Sequence, residues 1–234
     1  LVEFRENLQA HALVVRGLPT GDAALLPTPD PGEDVPRWVA GIQAVSIGVL
    51  GALGTPFAYD TQQGGRLINN IAPSALAVKR ANVGMGSKEP FGWHTEDAFM
   101  PDPPSYLQLT CLRNNDKVGT MISGIAPGDL DAEAERLLRD PVFVVGTNPA
   151  QESWKQLSAG PILYGAVDEP FLRFNAVNTA VTSGAGPEHE AAVAELAMVL
   201  QKNAASVVTQ PGDLLIVNNY KTCHARSSFT AQFD

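Results

Sequence analysis

His94 and Glu96 stand two residues apart, and His224 follows far downstream. Two imidazoles and one carboxylate can occupy three corners of an octahedron around Fe(II). Three positions then stay open for small ligands and O2. A His-x-Glu pair arises by chance, so its surroundings carry the weight. The pair lies in Gly92-Trp93-His94-Thr95-Glu96-Asp97-Ala98-Phe99. The second histidine follows an apolar run, Gly212-Asp213-Leu214-Leu215-Ile216-Val217-Asn218-Asn219, and opens His224-Ala225-Arg226-Ser227-Ser228-Phe229. In an extended segment residues i and i+2 point to the same side, so His94 and Glu96 can face one ion.

The elements that must position these residues are short. Residues 1–18 read as a helix and then a strand, and 19–36 as a Pro/Gly/Asp-rich loop. Apolar residues recur at helical spacing over 38–53, which predicts one buried helix. Strand-like pieces follow at 65–68 and 75–78, then strands at 105–113 and 118–122. Residues 129–139 form an amphipathic helix with acidic residues early and Arg late, matching the helix dipole. Strands are expected at 142–145, 162–164, 171–174, 206–208 and 214–218, and a strong helix at 188–203. Short strands, Pro/Gly turns and a few helices predict a mainly β fold with flanking helices, a double-stranded β-helix (jelly-roll, cupin-like).

The 234 residues are enough for one core, and no linker divides them. Charged residues make up 18% and hydrophobic ones 44%, the balance of a soluble globular protein. A net charge of −9 argues against nucleic acid or an anionic membrane as partner. No apolar run approaches the roughly 20 residues that span a bilayer. Two cysteines, Cys111 and Cys223, cannot build a disulfide framework, which points to the cytoplasm. The expectation is a single domain over residues 1–234, truncated at its C-terminus and with internal loops missing.

The sequence resembles the clavaminate synthase-like, TauD-like Fe(II)/2-oxoglutarate oxygenases, especially the β-hydroxylases of arginine and asparagine. The blocks that carry the resemblance begin with Thr61-Gln62-Gln63-Gly64-Gly65-Arg66-Leu67, Gly86-Ser87 and the segment 93–99. Tyr106 and Cys111-Leu112-Arg113-Asn114 follow. The rest are Leu163-Tyr164-Gly165, Glu169-Pro170-Phe171-Leu172-Arg173-Phe174 and the segment 211–229. The resemblance implies a jelly-roll, Fe(II) held by His94, Glu96 and His224, and 2-oxoglutarate and O2 as cosubstrates. It places Thr120 near the cosubstrate carboxylate and Gln63 against the backbone of an amino-acid substrate. Ser87, Asp97, Arg173 and Asn175 are the other expected substrate contacts. The family anchors the distal carboxylate of 2-oxoglutarate with an Arg expected shortly beyond Asp234. Arg226 is a substitute candidate, since its guanidinium can bind a carboxylate bidentately.

The implied reaction couples decarboxylation of the oxo acid to hydrogen abstraction from an unactivated C–H bond and return of hydroxyl. The substrate is a small molecule, an amino acid or a derivative, in antibiotic-type specialised metabolism. Desaturation, cyclisation or epoxidation of a small peptide-like substrate begins with the same abstraction and is the alternative. Glu96 argues against a halogenase, in which a small residue replaces the carboxylate. A metal-free jelly-roll binding module is the rival class, and the intact triad disfavours it. Mobile loops are expected at 101–104 and 184–187. Trp93, Phe99 and Cys223 read as packing, His11 and His189 as surface residues. Asn175 stands where enzymes for basic side chains commonly carry Asp. A buried cation needs a carboxylate, so a neutral or modified amino acid is expected over free arginine or lysine. If arginine is used, Asp97, Asp168 or Glu169 must reach the pocket.

Overall fold

The computed structural model describes residues 1–7, 10–21, 39–73, 87–146 and 158–231. In chain order these hold α1 (Val2–Glu6), β1 (Ala12–Val15), α2 (Ala40–Gly51), β2 (Phe91–His94), β3 (Tyr106–Thr110) and β4 (Thr120–Ser123). Then come α3 (Ala132–Leu138), β5 (Phe143–Val145), β6 (Leu163–Gly165), β7 (Pro170–Leu172) and β8 (Thr179–Val181). The chain ends with α4 (Pro187–Lys202), β9 (Ala205–Val207), β10 (Leu214–Asn218) and β11 (Cys223–Arg226). The fold is mainly β with flanking helices, as the sequence predicts.

Two antiparallel sheets matter most. One runs β1-β10-β3, and the other runs β2-β11-β4-β9. All five residues of β10 are buried. It is the central strand, paired on both edges, and its full burial shows both faces covered. That explains its unbroken apolar run. On one face Ile216 meets Phe4 of α1 and Leu53, with Leu13, Val15, Val49 and Tyr106 around them.

The second sheet separates packing from chemistry by alternation along β11 and β4. In register, Cys223 pairs with Ser123, His224 with Ile122, Ala225 with Met121 and Arg226 with Thr120. Trp93, Cys223, Met121 and Ala225 belong to the large core with Leu138, Leu196 and Leu200 of α3 and α4. His94, His224, Thr120 and Arg226 therefore point to the opposite face. The helices that cover the packing face are well specified. Asp131 caps α3 by accepting from the Glu133 N–H at 2.9 Å. Pro187 opens α4, with Glu188 and Glu190 in its first turn and Lys202 in its last.

Three expectations change. The piece at 65–68 is no strand, because the chain makes a 3₁₀ turn over Gln63–Gly65. Gly64 and Gly65 take φ of 69° and 70°, which a strand does not tolerate. The strand at 75–78 and Trp38 of the helix at 38–53 lie outside the described residues. His189 is buried, not at the surface. Its Nε2 lies 3.0 Å from Asp140 Oδ2, and Gly186 N–H donates to its Nδ1 at 3.3 Å. A histidine in the first turn of a docked helix can bond both ways, which spacing alone does not reveal. The loop at 101–104 is strapped by side chains, as described below. No helix among the described residues is long and apolar enough to cross a membrane.

Candidate metal centre

His94 and His224 are direct cross-strand partners in the β2–β11 ladder. Such a register brings side chains of one face close together, and the two rings lie 4.0 Å apart at 49°. Glu96 joins them from two residues beyond the end of β2. Its Oε2 is 3.3 Å from His224 Nε2 and 3.8 Å from His94 Nε2. One ligand atom from each of the three lies within 4.8 Å of the others, in the one such cluster among the described residues. Ligands at neighbouring corners of an octahedral iron site sit about 3 Å apart, so small side-chain movements close the set.

The protonation states suit a cation. His94 Nδ1 lies 2.8 Å from the Gly92 carbonyl, which can only accept. The proton therefore sits on Nδ1 and the Nε2 lone pair faces the cluster. Burial, then the neighbouring His224, lowers the His94 pKa to about 4, against the pull of Glu96 and Gly92. The ring is neutral near pH 7. Burial alone would raise the Glu96 carboxyl. The hydrogen bond and charge of His224, with His94, outweigh that and hold it below the usual carboxylate range. A lone-pair nitrogen and an anionic oxygen thus face one point, and a divalent ion fits them.

The other expected residues divide. Thr120 and Arg226 sit opposite each other on the ligand face. Arg226 lies over the Phe229 ring at 5.4 Å and donates to the Glu89 carbonyl at 3.3 Å. Burial lowers its pKa. Asp97 follows Glu96 at φ 50°, and burial with the Glu96 charge pushes its carboxyl up to about 6. Ser87 is buried, and its carbonyl accepts from Phe229 N–H at 2.8 Å. Gln63 is exposed, whereas its neighbour Gln62 is buried and its side chain acts on the Asp97 carboxyl, lowering its pKa against burial. Arg173 Nε donates to the Ala98 carbonyl at 2.7 Å. Asn175 Oδ1 accepts from both Val177 N–H and Asn178 N–H at 3.0 Å, which commits it to its own turn.

Sequence reasoning passed over three residues here. Tyr59 donates to the Asp102 carbonyl at 2.6 Å, and burial followed by Asp97 and Asp102 pushes its hydroxyl up to about 12. Gln62 could not be told from Gln63, since a turn has no period to read. Asn219 binds the backbone of Glu96. Its only signal was a polar residue at the end of an apolar run.

Comparison with known proteins fits this geometry. Residues 141–232, which include β11 and His224, match the family model "Taurine catabolism dioxygenase TauD, TfdA family". An enduracididine beta-hydroxylase of Streptomyces hygroscopicus is 30% identical over 263 residues, covering 100% of this chain and 76% of the relative. The chain belongs to this dioxygenase family. A second relative is the L-ornithine/L-arginine 3-hydroxylase of Catenulispora acidiphila. It is 26% identical, across 100% of this chain and 76% of its own length. The non-heme iron oxygenase OrfP, solved with Fe and alpha-ketoglutaric acid, superposes with a TM-score of 0.89 at 31% identity. That match covers 100% of this chain and 74% of OrfP. The resemblance, the enzyme class and the cupin-like fold expected from sequence all stand. A metal-free binding module is set aside.

Proposed function

We propose that this chain is an Fe(II)- and 2-oxoglutarate-dependent hydroxylase of an amino acid or an amino-acid-derived small molecule. The convergence of His94, Glu96 and His224 on one point carries the reading. Membership of the dioxygenase family and relatives named as amino-acid hydroxylases support it. Bound iron and 2-oxoglutarate supply, with O2, the oxidation of an unactivated C–H bond, releasing succinate and CO2.

The chain's own residues have narrower tasks. The Nε2 atoms of His94 and His224 and the Glu96 carboxylate hold the metal. The Thr120 hydroxyl and the Arg226 guanidinium, side by side on the ligand face, serve the cosubstrate carboxylates. Asp97 meets the substrate ammonium, with the buried Gln62 side chain beside its carboxylate. Ser87, Gln63, Arg173 and Asn175 complete the substrate wall, Asn175 by shaping its turn. A single domain and a cytoplasmic location belong to the same proposal. Both cysteines are free thiols.

The substrate side chain is neutral or modified. Asn175 offers no carboxylate, and its Oδ1 is already engaged. Asp168 and Glu169 lie at the β6–β7 turn, where their charges act on Lys221. A buried cationic side chain without its own carboxylate costs several kcal/mol. The test is mass spectrometry of the Fe(II) enzyme with 2-oxoglutarate, O2 and a library of amino acids and cyclic dipeptides. Succinate should form together with a hydroxylated neutral or modified amino acid, and free arginine and lysine should lag. Preferential hydroxylation of free arginine would refute the substrate class. Absence of succinate throughout would refute the reaction.

A further inference from the structure

The β2–β11 ladder stops at the pair His94–His224. Thr95 N–H still finds a backbone acceptor, the Phe174 carbonyl at 2.8 Å. Glu96 is the next residue, and Asp97 then turns the chain away at φ 50°. The carboxylate ligand therefore hangs from a backbone that no strand holds. Its partner is a side chain. Asn219 Oδ1 accepts from Glu96 N–H at 2.6 Å, and Asn219 Nδ2 donates to the Glu96 carbonyl at 3.0 Å. A primary amide has the donor and acceptor of a peptide group, so Asn219 pairs with Glu96 as one more strand residue would.

The same amide reaches further. Nδ2 also donates to the Pro104 carbonyl at 2.8 Å, and Asn219 N–H donates to the Ser105 carbonyl at 2.9 Å. Tyr220 donates to the Pro103 carbonyl at 3.3 Å, and Tyr59 to the Asp102 carbonyl at 2.6 Å. Three prolines in the segment 101–104 supply no N–H of their own, so these carbonyls are held from outside. Asn219 is 1% exposed. It lies in the turn between β10 and β11, five positions before His224. The turn that leads into the histidine ligand's strand thus also fixes the backbone of the carboxylate ligand.

We propose that Asn219 is a positioning residue that sets Glu96 against the two histidines before metal arrives. The proposal rests on the metal-centre reading above. Partners that orient a ligand typically contribute ~10–100-fold to metal affinity. Asn219→Leu keeps the branched side-chain skeleton and removes all three side-chain bonds. Asn203 is a control amide remote from the metal centre. It also bonds twice, to the Gly124 carbonyl at 3.1 Å and Asp129 Oδ2 at 2.7 Å, in a network that contacts none of the three ligands.

The experiment is calorimetric titration of the full chain with Mn(II), beside thermal melts of the metal-free proteins. Asn219→Leu should bind Mn(II) at least ~10-fold more weakly. Asn203→Ala should stay within twofold of the parent at a comparable loss of Tm. Equal weakening in both variants would make Asn219 a structural residue only and overturn the proposal, as would parental affinity in Asn219→Leu. If the parent itself binds no Mn(II), the metal-centre reading falls too. Should Asn219→Leu not fold, amide hydrogen exchange of the metal-free parent decides. The Glu96 amide should exchange as slowly as those of β11 although it lies in a turn. Exchange at the rate of an open loop would overturn the proposal.

Discussion

On one side of the β2–β11–β4 sheet stand Trp93, Met121, Cys223 and Ala225; on the other stand His94, Thr120, His224 and Arg226. The residues are interleaved in sequence, yet they meet opposite surroundings. Cys223 is fully buried against the helices, which pushes its thiol far up. It is packing, although it adjoins a ligand. His224, one residue later, faces Glu96. The difference shows how period-two geometry lets one strand serve a dry core and a polar site together. It also separates two kinds of damage that mutations can do.

The largest effect should come from the ligand face. An outer partner of a ligand accounts for ~10–100-fold in metal affinity, so loss of the ligand itself should exceed ~100-fold. His94→Ala should therefore lose Fe(II) binding and turnover together, far beyond what any fall in the metal-free Tm explains. The buried ring bonds to Gly92 and packs against Phe91 and His224, so its removal also costs some packing, but the folded fraction should still bind no metal. A variant that still turned over at the parental rate would show that the faces are misassigned.

The packing face should respond in the opposite sense. Leu196 is fully buried in the helix-facing core. Leu196→Ala should cost about 3 kcal/mol of stability through the cavity it leaves. The folded fraction should bind metal normally, as thermal melts beside titrations would show. Coupled loss of affinity would mean that the sheet transmits strain across its thickness.

A smaller effect probes the border of the site. The Asp97 carboxyl is raised to about 6 by burial and by Glu96, and its ordinary value is 3.8. A raised folded-state pKa gives stability that is complete below the ordinary value. That stability is lost as pH climbs through about 6. Asp97→Asn removes this loss, and Asn tolerates the positive φ. Metal-free Asp97→Asn should thus gain about 1 kcal/mol at pH 8, after allowance for solvent at a part-exposed group. The gain should vanish toward pH 4. A gain independent of pH would assign it to packing instead.

What the sequence disclosed follows the same division. The triad was legible because metal ligands need particular residue types, and a two-residue spacing on a strand is a strong constraint. Strand β10 was legible down to its ends because a fully covered strand is uninterrupted in its apolarity. Helix α4 announced itself by its apolar spacing, although Pro187, assigned to the loop 184–187, proves to open it. The piece at 65–68 reads as strand-like because Leu67 and Ile68 are apolar, and the positive φ of Gly64 and Gly65 leaves no periodic trace. His189 was misplaced because burial of a polar residue depends on a distant partner, Asp140. The straps on the segment 101–104 were invisible for the same reason. Their donors, Tyr59, Asn219 and Tyr220, come from elsewhere in the chain.

The central claim is that His94, Glu96 and His224 hold one iron. Crystals grown anaerobically with Fe(II) and 2-oxoglutarate, measured at the iron absorption edge, test it directly. The account predicts one anomalous peak with His94 Nε2, His224 Nε2 and a Glu96 carboxylate oxygen about 2.0–2.2 Å away. A peak elsewhere, or one that lacks any of these three ligands, would contradict it.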